Sequence, residues 1–331
     1  MKRREFRFMT SLMGLLLALP SIVLVGHGFA QDPGRTFRLG IIAPSETSIS
    51  LIRQHTLPEL SRRGFVEGRN LIIDERFGTP ENISGLARDL VGNRPDVVIA
   101  VSEIAIRPIL EHDPKVPVVM SFMGSDPVEA GFAESIRRPG GRVTGLMMLA
   151  DELDPKRLEV LHEVVPTAKK IAVLRGFPPR HDRNTAGLRE RAAKLGLQLH
   201  FFYADDKADY ARAFEGMRAE RVEAVLVASA PDFARDAAII SHAATQIGVP
   251  SICEWDYMAR AGCLIGYGPV NEELRRRTAA YVAQILRGVP AGELPIEGPV
   301  NFEFVINLKT ARSLGLTLPP TILARADEVI E

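Results

Sequence analysis

With 331 residues, 41 basic side chains against 41 acidic ones and only two cysteines, the chain lacks the basic face of a nucleic-acid binder and the cysteine density of a disulfide scaffold. Apolar residues make up 46%, enough for a sizeable interior, and the length exceeds what one core usually organises, so two lobes are expected. The seven histidines are scattered and no Cys/His cluster has metal-ligand spacing, so neither a metal nor a cofactor is expected.

Residues 1–30 carry Lys2, Arg3, Arg4 and Arg7, then an apolar run from Leu12 to Val25, then Gly28-Phe29-Ala30 before Gln31, the three-part layout of a secretory signal peptide. Removing that segment leaves a formal charge of −3. The apolar run is short for the roughly 20 residues a membrane span needs, and Pro20 interrupts it, which favours cleavage over an anchor. Arg3-Arg4-Glu5-Phe6 also resembles a twin-arginine signal, although Arg7 stands where that pattern prefers an apolar residue, so both export routes, general and twin-arginine, stay open. No cysteine lies near the cleavage point to take a lipid, and a soluble periplasmic product is expected. In that oxidising compartment Cys253 and Cys263 are able to pair or to stay free, since nothing in the sequence sets their separation.

Strands are predicted at Phe37–Ile42, Asn70–Phe77, Asp96–Val101 and Pro117–Phe122, with amphipathic helices between them at Ser50–Arg63, Asn82–Gly92 and Glu103–His112. Such a βαβ series implies a parallel sheet covered on both faces. The fourth strand empties into Gly124-Ser125-Asp126-Pro127, a short helix, a Pro139-Gly140-Gly141 turn and a strand at Val143–Met148, the expected first crossing between lobes. A second series opens with helix Asp154–Val165, whose Leu158, Leu161 and Val165 make an apolar stripe. It continues with strands Lys170–Leu174, Gln198–Tyr203, Ala224–Ala228 and Pro250–Cys253 and helices Asn184–Leu195, Ala208–Glu220 and Asp232–Ile247. Asp154 before Pro155 and Asp232 after Pro231 are expected helix caps. The tail adds a strand at Cys263–Tyr267, a helix at Glu272–Arg287, a Gly/Pro-rich passage, an extended Phe302–Asn307 and a helix at Leu308–Leu314. The expected fold is α/β, with two doubly wound parallel-sheet lobes joined by a multi-crossing hinge: residues 31–147 plus 266–292 in lobe 1, and 148–265 plus 293–331 in lobe 2.

Open α/β sheets bind small molecules beyond the carboxyl ends of their strands. There the first lobe offers Ser45-Glu46-Thr47-Ser48, Ser102-Glu103 and Gly124-Ser125-Asp126. The second offers Arg175 with Arg180–Asn184, Ser229–Asp232 and Glu254-Trp255-Asp256-Tyr257. Pro127 can begin a helix that Asp126 caps, leaving Ser125 and helix-terminal amides for an anionic group such as a ligand carboxylate; capping alone accounts for Asp126 equally well. Thr47 and Ser48, ahead of a helix at Ile49–Leu51, pose the same alternatives. Trp255 is the sole tryptophan, and its face suits stacking on an aromatic or cationic ligand, with Tyr257 or Tyr267 nearby and Glu254 or Asp256 taking an ammonium; packing is the rival role. Arg175 suits a bidentate grip on a carboxylate, or a salt bridge to Asp205, Asp232 or Glu254. Arg275–Arg277 reads as the solvated face of its helix. A Gly-x-Ser-x-Gly elbow, a phosphate loop, a dinucleotide fingerprint and a paired histidine and nucleophile are all missing, so no catalytic group is expected.

Several segments carry a family resemblance: RREF at Arg3–Phe6, GFVEGRN at Gly64–Asn70, DPV at Asp126–Val128, RPGGRVTG at Arg138–Gly145, KRLEVLHEVVP at Lys156–Pro166, LGLQL at Leu195–Leu199 and FEFVINLKTARSLGL at Phe302–Leu316. Together they resemble the exported substrate-binding proteins of ABC transporters related to aromatic amino-acid binders, with the type I periplasmic-binding-protein fold. The resemblance covers essentially the whole chain. It implies a ligand held between two closing lobes, delivery to a membrane permease, and an ATPase on the inner side; it does not give the ligand. Cys253 and Cys263 stand where many relatives carry an aromatic or small residue and a glycine, so pocket detail near Glu254 and Trp255 does not transfer. The expectation is a non-catalytic periplasmic receptor for a small molecule, an amino acid or another carboxylate, with no nucleic-acid partner and no stable membrane insertion after signal cleavage. The alternatives are an exported α/β enzyme using Asp126 or Glu254 as acid or base, and a sensor module signalling to a membrane receptor.

Overall fold

The structure, a computed structural model, describes residues 34–148, 150–176, 185–204 and 206–331. The signal segment expected at residues 1–30, Arg180–Asn184 and Asp205 lie outside the described residues.

Strands β1 (Phe37–Ala43), β2 (Leu71–Phe77), β3 (Val97–Val101), β4 (Val118–Met123) and β5 (Val143–Met147) form a five-stranded, all-parallel sheet in the order β2-β1-β3-β4-β5. Every residue of β3 is buried, the continuous apolar run of a central parallel strand. Helices α1 (Glu46–Leu51), α2 (Leu57–Arg62), α3 (Ile83–Gly92) and α4 (Glu103–His112) cover the sheet. Ile42, Leu90, Val98, Ile106 and Met120 fill one face, while Leu39, Ile41, Leu60, Ile99 and Val119 fill the other.

The remaining elements are α5 (Ala150–Val164), β6 (Lys170–Arg175), α6 (Thr185–Leu195), β7 (Gln198–Tyr203), α7 (Lys207–Ala219), β8 (Ala224–Val227), α8 (Pro231–Arg235), α9 (Ala237–Gln246), β9 (Ser251–Cys253), α10 (Asp256–Arg260), β10 (Ile265–Pro269), α11 (Asn271–Leu286), β11 (Phe302–Asn307), α12 (Leu308–Ser313), α13 (Pro320–Leu323) and β12 (Glu328–Ile330). The second sheet has seven strands in the order β12-β11-β10-β9-β8-β6-β7, parallel except where β11 runs against β10. The fold is therefore the expected pair of parallel-dominated α/β lobes.

Three segments connect the sheets. The first leaves β5 for α5. The second leaves β10 for α11, which returns to the first sheet and packs on β3, β4, β5 and α2. The third follows a short 3-10 turn at Ala291–Glu293 and leads to β11. It is pinned to β5 by Glu297, whose carbonyl accepts the Met147 amide at 2.9 Å and whose amide donates to Gly145 at 3.0 Å. It is pinned to the second segment by the Val270 amide, 3.1 Å from the Asn301 carbonyl. The crossings thus lie side by side.

Three local expectations need correction. The helix expected at Ser50–Arg63 begins at Glu46, because the Ser45 hydroxyl accepts the Ser48 amide at 3.2 Å and caps it. It also widens into a π segment at Ile52–Thr56. Pro58 has no amide to bond back to Gln54 and its ring crowds that carbonyl, which the wider turn accommodates. No helix follows β4: Asp126 Oδ1 turns back to accept the Val128 amide at 2.7 Å, and residues 127–131 form consecutive turns. Finally, Asp154 and Asp232 do not cap. Helix α5 starts at Ala150, four residues ahead of Asp154, and the cap position of α8 is Ala230.

Candidate functional site

The two sheets meet at the carboxyl ends of β4 and β9. Phe122 is one of four non-glycine residues with positive φ among the described residues, at 59°, where the register between β4 and β5 shifts between Met120 and Met123. An aromatic residue in that backbone region is uncommon, and such geometry concentrates at functional sites. Its ring meets Trp255, just beyond β9, edge to face at 5.6 Å. Tyr257 stacks on Trp255 at 6.2 Å with planes 8° apart. Burial, then the nearby Glu254 charge, raises the Tyr257 phenol well above its ordinary pKa.

Trp255 is only 5% exposed and opens α10. Its approach is set by β10: a Cβ at Gly268 would lie 2.0 Å from the Glu254 carbonyl oxygen, and one at Gly266 2.6 Å from that of Trp255. Only glycines let the Glu254-Trp255 backbone lie this close. Cys253 and Cys263 form a disulfide that closes the loop bearing Glu254, Trp255 and Tyr257.

Arg275 of α11 lies with its guanidinium carbon 4.4 Å from the Phe122 ring centre and is 4% exposed. Its Nε donates to Asn271 Oδ1 at 2.8 Å, one helical turn back. Beneath Trp255 a second polar cluster centres on Arg157, which is fully buried. Arg157 donates to Asp154 Oδ1 at 2.8 Å, to the Ser229 hydroxyl at 3.0 Å and to the Tyr267 carbonyl at 2.8 Å. Its Nη2 makes an ionic contact with Glu254 at 3.5 Å, and Ser229 donates to Glu254 at 2.7 Å. Burial pushes the Asp154 and Glu254 carboxyls above the ordinary range, and the Arg157 charge pulls both back.

Of the residues singled out from sequence, Ser229, Glu254, Trp255 and Tyr257 are brought together. Arg175 ends β6 with its Nη1 buried and without a hydrogen-bond partner among the described residues, and its charge acts on Asp154. Ser102, at the end of β3 with φ 65°, likewise has a buried hydroxyl with no such partner. Ser45 and Ser48 bond to each other, and Thr47 lies in the first turn of α1. Ser125 donates to Glu103 at 2.9 Å, and Asp126 serves its own turn. Glu254 is engaged by Ser229 and Arg157, so it is not the free acceptor an ammonium would need. Phe122 and Arg157 escaped the sequence reading, and Arg275 was misplaced on a solvated face. For Arg275 a signal existed: Asn271, Leu274, Arg275, Thr278 and Val282 trace the buried stripe of α11.

Two α/β lobes that meet at their strand ends over aromatic and cationic side chains, joined by three adjacent crossings, define a two-lobed small-molecule binding protein. The family of ABC transporter substrate binding proteins matches residues 42–330, and the chain belongs to it. It is similar to a tyrosine-binding protein of Clostridioides difficile, 23% identical over 275 residues that span 81% of this chain and 78% of that one. Among solved structures, a conserved domain protein from Vibrio cholerae superposes with a TM-score of 0.80 at 27% identity, over 89% of this chain and 100% of that one. A Streptococcus pneumoniae ABC domain in complex with L-Trp gives 0.78 at 22% identity, with the same coverage of both chains. The family and the Clostridioides difficile relative are binding proteins, and members serving ABC importers are typically extracytoplasmic. No helix among the described residues is long and apolar enough to cross a membrane.

Proposed function

We propose that the chain is a periplasmic receptor, exported by the signal at residues 1–30, that captures an amino acid or another small carboxylate between its lobes. It delivers the ligand to the permease of an ABC importer, whose ATPase works on the cytoplasmic side. The observation that carries this reading is the contact of Phe122 from the first sheet with Trp255 from the second at 5.6 Å, with Tyr257 stacked behind. Rings supplied by opposite lobes make a clamp whose mutual contact a flat ligand can replace. The tyrosine and L-Trp named for two relatives support an aromatic amino acid.

In this reading Ser102, Trp255 and Tyr257 touch the ligand, Ser229 and Glu254 hold the Trp255 loop, and Ser45, Thr47, Ser48, Ser125, Asp126 and Arg175 shape the rim. The first lobe comprises residues 34–147 with α11, the second the β6–β12 sheet and its helices, and the three adjacent crossings act as the hinge. The test is a thermal-shift screen of the mature protein against L-tyrosine, L-tryptophan and a panel of small carboxylates. A receptor gains about 2.7 kcal/mol at a hundredfold excess of ligand over Kd. No shift with any of them at millimolar concentration removes the reading.

A further inference from the structure

We infer that Arg275 is the anion-selecting group of this site, placed to take the carboxylate of a ligand held against Phe122, Trp255 and Tyr257. The inference rests on the receptor reading above and adds to it a specificity residue and a required charge on the ligand.

Burying a guanidinium is costly unless it is paired and hydrogen-bonded. Arg275, 4% exposed, makes no ion pair with Asp or Glu among the described residues, and its Nη1 is buried without a hydrogen-bond partner there. Its neighbours on α11 differ: Arg276 pairs with Glu272 at the surface, and the half-buried Arg277 pairs with Glu297. Arg157, likewise buried, is met by Asp154 and Glu254. Burial pulls the Arg275 guanidinium down to about 10, so it stays charged at neutral pH.

The surroundings fit a ligand better than a missing structural partner. Asn271 holds Nε, and the guanidinium carbon lies over the Phe122 ring. The Nη edge is what remains for a two-point grip on a carboxylate. Cation–π contact with Phe122 offsets part of the burial cost without using a donor. Because Phe122 also touches Trp255, a carboxylate on Arg275 would set an attached ring or chain against the aromatic residues of both lobes.

The test is isothermal titration calorimetry of the mature protein with two matched pairs, L-tyrosine against tyramine and 3-phenylpropionate against 3-phenylpropanamide, on wild type, Arg275→Met and Arg275→Lys. Wild type should bind at least one acid roughly 100-fold more tightly than its partner without the carboxylate. Arg275→Met should bring that ratio close to one by weakening the acid alone, and Arg275→Lys should retain part of it. Where Arg275→Met fails to fold, the Lys variant and the wild-type ratio decide. Equal binding of both members by wild type, or an undiminished ratio in a folded Arg275→Met, overturns the role of Arg275 and leaves the receptor reading standing. Failure of wild type to bind any of the four at millimolar concentration overturns both.

Discussion

Arg157 is met by two buried carboxylates, and its loss would strand both. Burial already holds Asp154 and Glu254 above the ordinary carboxylate range, and Arg157 is the first group pulling each back down. Without it their folded pKa values rise further, so the folded chain binds protons that the unfolded chain releases. The resulting penalty is absent below the unfolded carboxylate value of about 4 and grows as pH rises toward the folded values. Arg157→Met should therefore cost about 3 to 5 kcal/mol at neutral pH and clearly less near pH 4.5, read from urea midpoints at the two conditions. An equal loss at both would mean that packing of the arginine stem, not charge, holds the cluster. Neither Arg157 nor the role of Arg275 was legible locally. A run such as Arg275–Arg277 favours a solvated reading, and only the stripe from Asn271 to Val282 contradicts it. Trp255 was legible for a simpler reason: a lone large ring between two acids directly after a strand has few uses.

Among the elements, α10 and its flanks are tied at both ends. The Cys253–Cys263 bond, ten positions apart, closes a short ring around Trp255 and Tyr257, and Asn307 of β11 donates to the Ala259 carbonyl at 2.8 Å. A loop of this size is worth about 3 kcal/mol in the unfolded state. Replacing both cysteines by alanine should lower stability by roughly that amount and speed amide exchange most across residues 254–262. Uniform acceleration over both lobes would show that the bond stabilises the chain without organising this loop. Most longer elements could be read from periodicity, and β7 and β11 fall on their expected residues. The misses were short or dictated from elsewhere. Helix α10 has five residues, and β12 has three whose pairing is supplied entirely by β11. The early start of α1 depends on a Ser45 cap that could equally have been read as ligand chemistry.

At the level of the whole molecule, two lobes, parallel sheets and several crossings followed from the repeated βαβ pattern, whereas which strand ends meet did not, because lobe docking is a contact between distant parts of the chain. The topology makes each lobe depend on late sequence. Helix α11 covers one face of β3, β4 and β5, and β11 and β12 complete the second sheet beyond it. A fragment ending at Pro269 should therefore show no cooperative melting transition and should bind a hydrophobic dye, although it contains all five strands of the first sheet. A cooperative melt would show that α11 is dispensable to the first lobe. The return of α11 also bears on the order of events in the cell. A chain made from its amino terminus finishes β5 long before the residues that seal the sheet against water exist, so neither lobe can lock until synthesis is nearly done. The same connection that ties the lobes together keeps the newborn polypeptide open for most of its synthesis.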